Sequence, residues 1–114
     1  MSCPCGLSAS YDDCCGRYHR GAAAPTPEAL MRSRYTAFAI GDADYLLRTW
    51  HPTMRPSTVE TGSGWLRLEV LDSSGGLLDV EGEVHFRAHA RGGVLEECSR
   101  FVRDGGRWVY LGAV

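Results

Sequence analysis

The stretch LDVEGEVHFRA at residues 78–88 decides the fold class, because apolar and polar side chains alternate along its whole length. A period of two is typical of a β-strand that buries one face and exposes the other to water. Gly92-Gly93 then predicts a hairpin turn into a strand over 94–103, and Gly105-Gly106 predicts a second turn into a strand over 107–111. We therefore predict an antiparallel sheet in the second half of the chain.

The segment before this stretch predicts one more strand and two helices. Alternation over 64–70 is typical of a strand. Upstream, Thr26-Pro27-Glu28 has the composition of a helix start, and Gly41 predicts the end of that helix. Asp42 caps a second predicted helix, which ends at His51-Pro52. Two helices packed on one face of a curved, four-stranded antiparallel sheet give an α+β fold.

Length and composition limit the organisation of the chain. One hundred and fourteen residues suffice for one small domain with an appendage, and we place a cysteine knuckle over 1–20 and the α+β domain over 26–114. No apolar run approaches the ~20 residues that cross a bilayer, and the N-terminus lacks the features of a signal peptide. We therefore expect a cytoplasmic protein. The net charge of −2 gives no reason to expect nucleic acid as a partner.

Four of the five cysteines are crowded into the first fifteen residues, in the pattern C-x-C-x8-C-C. A reducing cytoplasm disfavours disulfides, and four thiolates match the tetrahedral preference of zinc. We expect a short helix near Cys14, capped by Asp12 or Asp13, and we keep His19 as a spare ligand. Free thiols and a Cu(I) or thiol-handling site are the alternatives. The predicted Zn²⁺ ligands are Cys3, Cys5, Cys14 and Cys15.

These residues resemble a known metal-binding motif. Cys3-Pro4-Cys5-Gly6, the aromatic Tyr11 and Cys14-Cys15 are similar to the SEC-C motif, which occurs at the C-terminus of the SecA motor. The resemblance implies Cys15 as the fourth ligand and a protein partner for the knuckle. Leu7-Ser8-Ala9-Ser10 replaces the basic stretch of SecA-like versions.

A longer resemblance covers most of the chain. It rests on blocks that are similar to the YchJ family: Leu30 to Tyr35, Ala37-Phe38, Asp44-Tyr45-Leu46, Thr49-Trp50-His51-Pro52, Glu97, Ser99-Arg100-Phe101, Trp108 and Tyr110. Between His51 and Trp65 this chain is shorter than the family pattern. The resemblance implies a SEC-C motif followed by a cone domain like those of nuclear transport factor and SnoaL, and it implies no particular activity.

The hairpins also predict which side chains share a face of the sheet. With two-residue turns at the Gly-Gly pairs, Ala88 pairs with Glu97 and Phe101 pairs with Tyr110. Glu97 then lies on the apolar face, where a lone carboxylate is costly. Since Arg34 lies within the apolar stripe of the first helix, we predict a buried Arg34–Glu97 ion pair. His85 and His89 fall on the opposite, polar face, either solvated or as a metal pair.

The same register places a candidate ligand pocket between helix and sheet. The ion pair either fixes the helix to the sheet or supplies the polar groups of this pocket. The predicted pocket residues are Arg34, Tyr35, Trp50, His51, Phe86, Glu97, Ser99 and Phe101.

The leading hypothesis is a non-enzymatic, zinc-binding accessory protein. Its knuckle would bind a protein partner, and its cone domain would bind a small ligand or a peptide. The rival is an enzyme acting on a small anionic substrate, with Glu97 or His51 as acid or base and Arg34 holding the substrate.

Overall fold

A computed structural model describes residues 2–62 and 64–114. Met1, the first residue of the predicted knuckle, and Ser63, which precedes the predicted strand over 64–70, lie outside the described residues. The described chain forms three helices followed by four strands, in one antiparallel sheet of order β1-β2-β3-β4, which confirms the α+β fold. The elements are α1 Cys15–His19, α2 Pro27–Ile40, α3 Ala43–Arg48, β1 Trp65–Ser73, β2 Glu81–Ala90, β3 Gly93–Asp104 and β4 Arg107–Ala113.

Helix α2 begins and ends where the sequence predicts. The hydroxyl of Thr26 accepts a hydrogen bond from the backbone N–H of Ala29 at 3.1 Å, and Pro27 occupies the first helical position. Gly41 ends the helix in the left-handed conformation at φ +85°, which a side chain would disfavour. Helix α2 packs against β1, β2 and β4, so it forms the wall opposite the sheet.

Helix α3 is capped by Asp42 as predicted, but it ends at Arg48, before the predicted end at His51-Pro52. The reason is pairing with the sheet. Tyr110 donates its backbone N–H to the carbonyl of Thr49 at 2.8 Å, and its own carbonyl accepts the N–H of His51 at 2.8 Å. This contact fixes the end of α3 against β4. No helix among the described residues is long and apolar enough to cross a membrane.

The β2–β3 hairpin turns one residue earlier than predicted. Ala88 pairs with Leu95, and the predicted pairing with Glu97 is wrong. The turn lies at Arg91-Gly92 and leaves Gly93 in the strand. A register shift of two residues keeps every side chain on its predicted face, because the side-chain period of a strand is two.

The β3–β4 register follows the prediction. Phe101 pairs with Tyr110, and Arg103 pairs with Trp108. A register irregularity between Arg100 and Phe101 separates these pairs from the pairs that Gly112 and Ala113 form near the end of β4. The inner face of the sheet is buried at Val84, Phe86, Ala88, Ser99, Phe101 and Trp108, which are the main sheet contribution to the core.

Strand β2 is shorter than the alternating pattern suggests. Leu78 is 97% exposed, and the strand begins only at Glu81. The residues before Glu81 form a turn in which the carboxylate of Asp79 accepts a hydrogen bond from the backbone N–H of Gly76 at 2.9 Å. Arg103 donates to the carbonyl of Asp79 at 2.7 Å and so holds the turn beside β3. Local hydrogen bonding therefore overrides the strand pattern here.

Candidate metal centre and cone cavity

The four predicted cysteine ligands lie together in the structure. Their Sγ atoms are all within 4.8 Å of one another, and Cys5 Sγ lies 3.7 Å from Cys14 Sγ. A tetrahedral zinc site with bonds of ~2.3 Å has edges of about 3.8 Å, whereas a disulfide bond is only ~2.05 Å long. The donor set therefore fits a metal ion. The thiol cluster consists of Cys3, Cys5, Cys14 and Cys15, all of them buried.

The first pair of cysteines lies on a tight turn. Cys3 donates its backbone N–H to the carbonyl of Ala9 at 2.9 Å. The carbonyl of Cys3 in turn accepts the N–H of Gly6 at 3.1 Å, and Gly6 has a φ of +97°. The left-handed conformation of this glycine allows the chain to reverse directly after Cys5.

The second pair of cysteines lies at the start of α1. Cys14 is the N-cap and receives no side-chain cap, so the predicted capping by Asp12 or Asp13 is wrong. The carbonyl of Tyr11 instead accepts the backbone N–H of Gly16 at 2.7 Å. A Cβ atom on Gly16 would lie only 2.7 Å from that oxygen, so a side chain here would push the turn away from the cluster.

Mutual electrostatics prevent the thiols from all ionising by themselves. Hydrogen bonding, first from Cys15, lowers the pKa of Cys5 to about 5. Burial and then the hydrogen bond to Cys5 raise the pKa of Cys14 to about 11. The hydrogen bond to Cys5 and then burial also raise the pKa of Cys15. A cation at the centre of the cluster would supply the positive charge that further ionisation requires.

Helix α2 supplies two contacts to the cluster that the sequence did not reveal. Thr36 Oγ1 donates to Cys15 Sγ at 3.3 Å and lies 3.7 Å from Cys3 Sγ. Arg32 Nη1 donates to the carbonyl of Cys5 at 2.8 Å. The spacing of four residues places Arg32 and Thr36 on one side of α2, but only the structure shows that the knuckle covers that side.

His19, the predicted spare ligand, binds protein groups. Its Nε2 lies 2.8 Å from the carbonyl of Ser33, and its Nδ1 lies 2.7 Å from the hydroxyl of Tyr11. A carbonyl can only accept, so Nε2 carries a proton, and in the neutral imidazole Nδ1 accepts the tyrosine O–H. His19 therefore joins α1 to α2 rather than the thiol cluster.

A cavity of about 140 Å³ lies between the helices and the sheet, and we call it the cone cavity. Five predicted pocket residues line it: Arg34, Trp50, Phe86, Glu97 and Ser99. Four further residues complete the lining, and the sequence did not assign them to the pocket: Met31, Phe38, Leu95 and Tyr110.

Three predicted pocket residues lie elsewhere. Tyr35 is buried, with its ring centroid 6.0 Å from that of Trp65. Phe101 is fully buried in the core beside Tyr110. His51 is outside the cavity lining, and its Nδ1 lies 2.8 Å from the hydroxyl of Thr53.

Arg34 is the buried cation of the cone cavity, and its side chain is only 4% exposed. Its Nη1 donates to the carbonyl of Leu46 at 2.8 Å and to the hydroxyl of Thr49 at 2.7 Å. The guanidinium carbon lies 4.7 Å from the ring centroid of Tyr110 and 5.1 Å from that of Trp50. Burial lowers the pKa of Arg34 to about 10, so the group stays charged at neutral pH.

The predicted Arg34–Glu97 ion pair is wrong: these two described residues make no salt bridge. One oxygen of Glu97, Oε2, accepts from the Ser99 hydroxyl at 2.5 Å and from the Tyr110 hydroxyl at 3.1 Å. Tyr110 contacts both charged side chains and so mediates between them. Burial, followed by the charge of Glu97, raises the pKa of Tyr110 to about 12.

The polar face of the sheet carries separate contacts between a histidine and a carboxylate. His85 Nε2 lies 2.8 Å from Glu96, and His89 Nε2 lies 2.9 Å from Glu69. Because each histidine faces a different carboxylate, the two do not form the metal pair that the sequence left open.

Comparison with known proteins identifies the family. A family model for the middle, NTF2-like domain of YchJ matches residues 26–113. A UPF0225 protein of Streptomyces coelicolor is 59% identical over 112 residues, which cover 95% of this chain and 90% of the relative.

Two solved structures share the fold over nearly the whole chain. The solution structure of a SEC-C motif containing protein from Rhodopseudomonas palustris is 38% identical, with a TM-score of 0.84 and coverage of 100% of this chain and 98% of that one. The crystal structure of a SEC-C motif containing protein from Psychrobacter arcticus is 26% identical, with a TM-score of 0.81 and coverage of 97% and 80%. With its four clustered cysteines and its NTF2-like domain, the chain belongs to the YchJ (UPF0225) family.

Proposed function

We propose that this protein is a non-enzymatic accessory protein that binds one Zn²⁺ ion in its knuckle and a protein partner beside it. The observation that carries the proposal is the cluster of four buried Sγ atoms within 4.8 Å of one another. Cys3, Cys5, Cys14 and Cys15 would fill all four positions of a tetrahedral zinc ion. Such a site has no open position for a catalytic water, which favours a structural role.

Zinc is favoured over Cu(I) by the number and spacing of the thiols. Both ions accept thiolates, but a tetrahedral S₄ set is typical of zinc or an iron–sulfur centre. The 3.7 Å between Cys5 Sγ and Cys14 Sγ fits one edge of a zinc tetrahedron. Because the site needs reduced thiols, the proposed location is the cytoplasm.

A surface next to the thiol cluster supports partner binding. We call it the knuckle groove, a concave and mostly apolar surface lined by Ser2, Pro4, Tyr11 and Ile40. Ile40 is 51% exposed and is the last residue of α2. The chemistry of the groove favours one apolar side chain of a polypeptide partner as its occupant.

The experiment combines metal analysis with partner capture from extract. Purified protein should contain about one zinc per chain. Ile40→Asp should keep the zinc and lose the captured partner, since a charge in the groove would repel an apolar side chain. Leu78→Asp is the matched control, because Leu78 is exposed on the β1–β2 loop, outside the groove. Equal capture by the two variants would contradict the partner surface, and absence of zinc would contradict the metal assignment.

The enzyme hypothesis receives less support from the cavity. Arg34 and Glu97 both line it, as an enzyme acting on an anionic substrate would require. His51, however, lies outside the lining, and Glu97 already accepts two hydrogen bonds at one oxygen. The lining does bring one hydroxyl, that of Ser99, against a carboxylate, that of Glu97, but its described residues include no histidine to act as the base. We therefore propose that the cone cavity binds a ligand without transforming it.

A further inference from the structure

The cone cavity contains a buried cation whose hydrogen-bonding capacity is only partly used. Arg34 has five N–H donors, and its two protein acceptors both lie on Nη1. Among the described residues, none accepts a hydrogen bond from its Nε or Nη2. These two groups form the edge of the guanidinium that binds a carboxylate through two parallel hydrogen bonds.

The other polar group of the cavity offers an acceptor. Glu97 Oε2 is occupied by the hydroxyls of Ser99 and Tyr110. Its Oε1 accepts no hydrogen bond from the described residues. A ligand that fills the cavity can therefore pair an acidic group with Arg34 and an O–H or N–H donor with Glu97.

The remaining walls select a compact and partly apolar molecule. Met31, Phe38, Phe86, Trp50 and Leu95 supply most of the lining. The volume of about 140 Å³ is well below the ~300 Å³ at which drug-sized pockets begin. A folded peptide or a nucleotide would not fit, whereas a branched chain of a few carbons would.

We propose that the cone cavity binds a small monocarboxylate with a branched apolar body and an adjacent hydroxyl or amino group, that is, an apolar hydroxy acid or amino acid. A second negative charge on the ligand would face Glu97 and weaken binding, so a monoanion is favoured over a phosphate. The inference rests on the proposed role of the cavity as a binding site and does not depend on the metal in the knuckle.

Three matched probes test the two polar contacts separately. We would follow the Arg34 Nε–H and Trp50 indole N–H signals by NMR while adding α-hydroxyisocaproate, isocaproate or α-hydroxyisocaproamide. Isocaproate lacks only the hydroxyl, and the amide lacks only the charge. We expect the amide to bind more weakly than α-hydroxyisocaproate by a factor of about ten or more, because the charge-assisted hydrogen bonds between carboxylate and Arg34 are lost. Isocaproate should fall between them.

Variants assign the contacts to individual residues. Glu97→Gln should reduce the preference for α-hydroxyisocaproate over isocaproate. Arg34→Met should abolish the preference for carboxylate over amide. Because Arg34 also holds the carbonyl of Leu46, Leu95→Trp is the second variant: it fills the cavity from its exposed rim and removes no side-chain hydrogen bond.

The possible outcomes distinguish the proposed ligand class from the proposed role of the cavity as a binding site. Binding of all three probes with equal affinity would overturn the ligand class and leave the cavity as a binding site. No shift at Arg34 or Trp50 at millimolar probe, or binding that Leu95→Trp leaves unchanged, would overturn both. The expected order of the three probes, together with loss of carboxylate binding in Leu95→Trp with the fold retained, would support both.

Discussion

The thiol cluster and the cone cavity lie on different sides of helix α2 and differ in how their polar groups are satisfied. The cluster is closed, because four thiols surround one point and α2 adds Thr36 and Arg32 around them. The cavity is open, because Arg34 and Glu97 each retain hydrogen-bonding groups that the described protein does not use. A closed set of ligands favours a structural role, and an open set favours the binding of a ligand.

The largest expected effect is the loss of metal from the cluster. Cys14→Ser should remove the proposed zinc ion and destabilise the knuckle by several kcal/mol, because metal binding and folding are coupled at such sites. Metal analysis and thermal unfolding measure this. Cys98→Ser is the control, since Cys98 lies outside the cluster on β3 and should leave both the zinc content and the stability of the knuckle unchanged. A Cys14→Ser protein that kept its metal would disprove the closed site.

The next effect is an asymmetry between the two charged residues of the cavity. Arg34→Met should lower the free energy of unfolding by about 2–4 kcal/mol. The Leu46 carbonyl loses its hydrogen-bond donor, and the rings of Tyr110 and Trp50 lose their contact with the guanidinium. Glu97→Gln should lower the free energy of unfolding by about 1 kcal/mol or less, because the amide oxygen can still accept hydrogen bonds from Ser99 and Tyr110. Denaturant unfolding measures both. Equal and large losses would instead indicate the direct ion pair that the structure lacks.

A smaller effect is expected from the contact between α2 and the cluster. Thr36→Val preserves the shape of the side chain and removes the hydroxyl that donates to Cys15, so zinc affinity should fall about tenfold. Competition with a chelator measures this. Ser33→Ala is the matched control on the same helix, because its hydroxyl bonds Tyr45 and not a cysteine. Equal zinc affinity in all three proteins would show that the hydroxyl of Thr36 does not tune the site.

The smallest effect concerns the tyrosine that links Arg34 to Glu97. The pKa of Tyr110 is raised to about 12, above the unfolded value of ~10. The protonated phenol therefore favours the folded state below pH ~10, and this contribution is lost as the pH rises from ~10 to ~12. Ultraviolet titration should show one late-ionising phenol fewer in Tyr110→Phe than in the wild type. Loss of a phenol that ionises near pH ~10 instead would place Tyr110 in water.

Local patterns in the sequence predicted more than long-range ones. The cysteines of the cluster lie within thirteen positions, so their spacing alone indicated a common site. The caps at Thr26 and Asp42 were predicted because a cap depends on residues three positions away. The faces of the sheet were also predicted, since a register error of two residues leaves them unchanged.

Contacts between distant elements could not be predicted in the same way. Arg34 and Glu97 were assigned to one apolar interior, but the sequence contains no distance that would place Tyr110 between them. The hydrogen bonds from Arg32 and Thr36 to the knuckle depend on how residues 2–19 pack against α2. That packing follows from tertiary structure and leaves no periodic signal in the sequence.

The division of α2 between two sites also limits how the chain can change in length. Arg32 and Thr36 contact the knuckle, whereas Arg34, between them, contacts the cavity. Inserting or deleting one residue here would rotate everything downstream by about 100° around the helix axis. One site would then lose its helix contacts whichever way the rest of the helix repacked. Insertions and deletions in this family should accordingly accumulate in segments such as 52–62, which forms no helix or strand, and should be absent from residues 32–36.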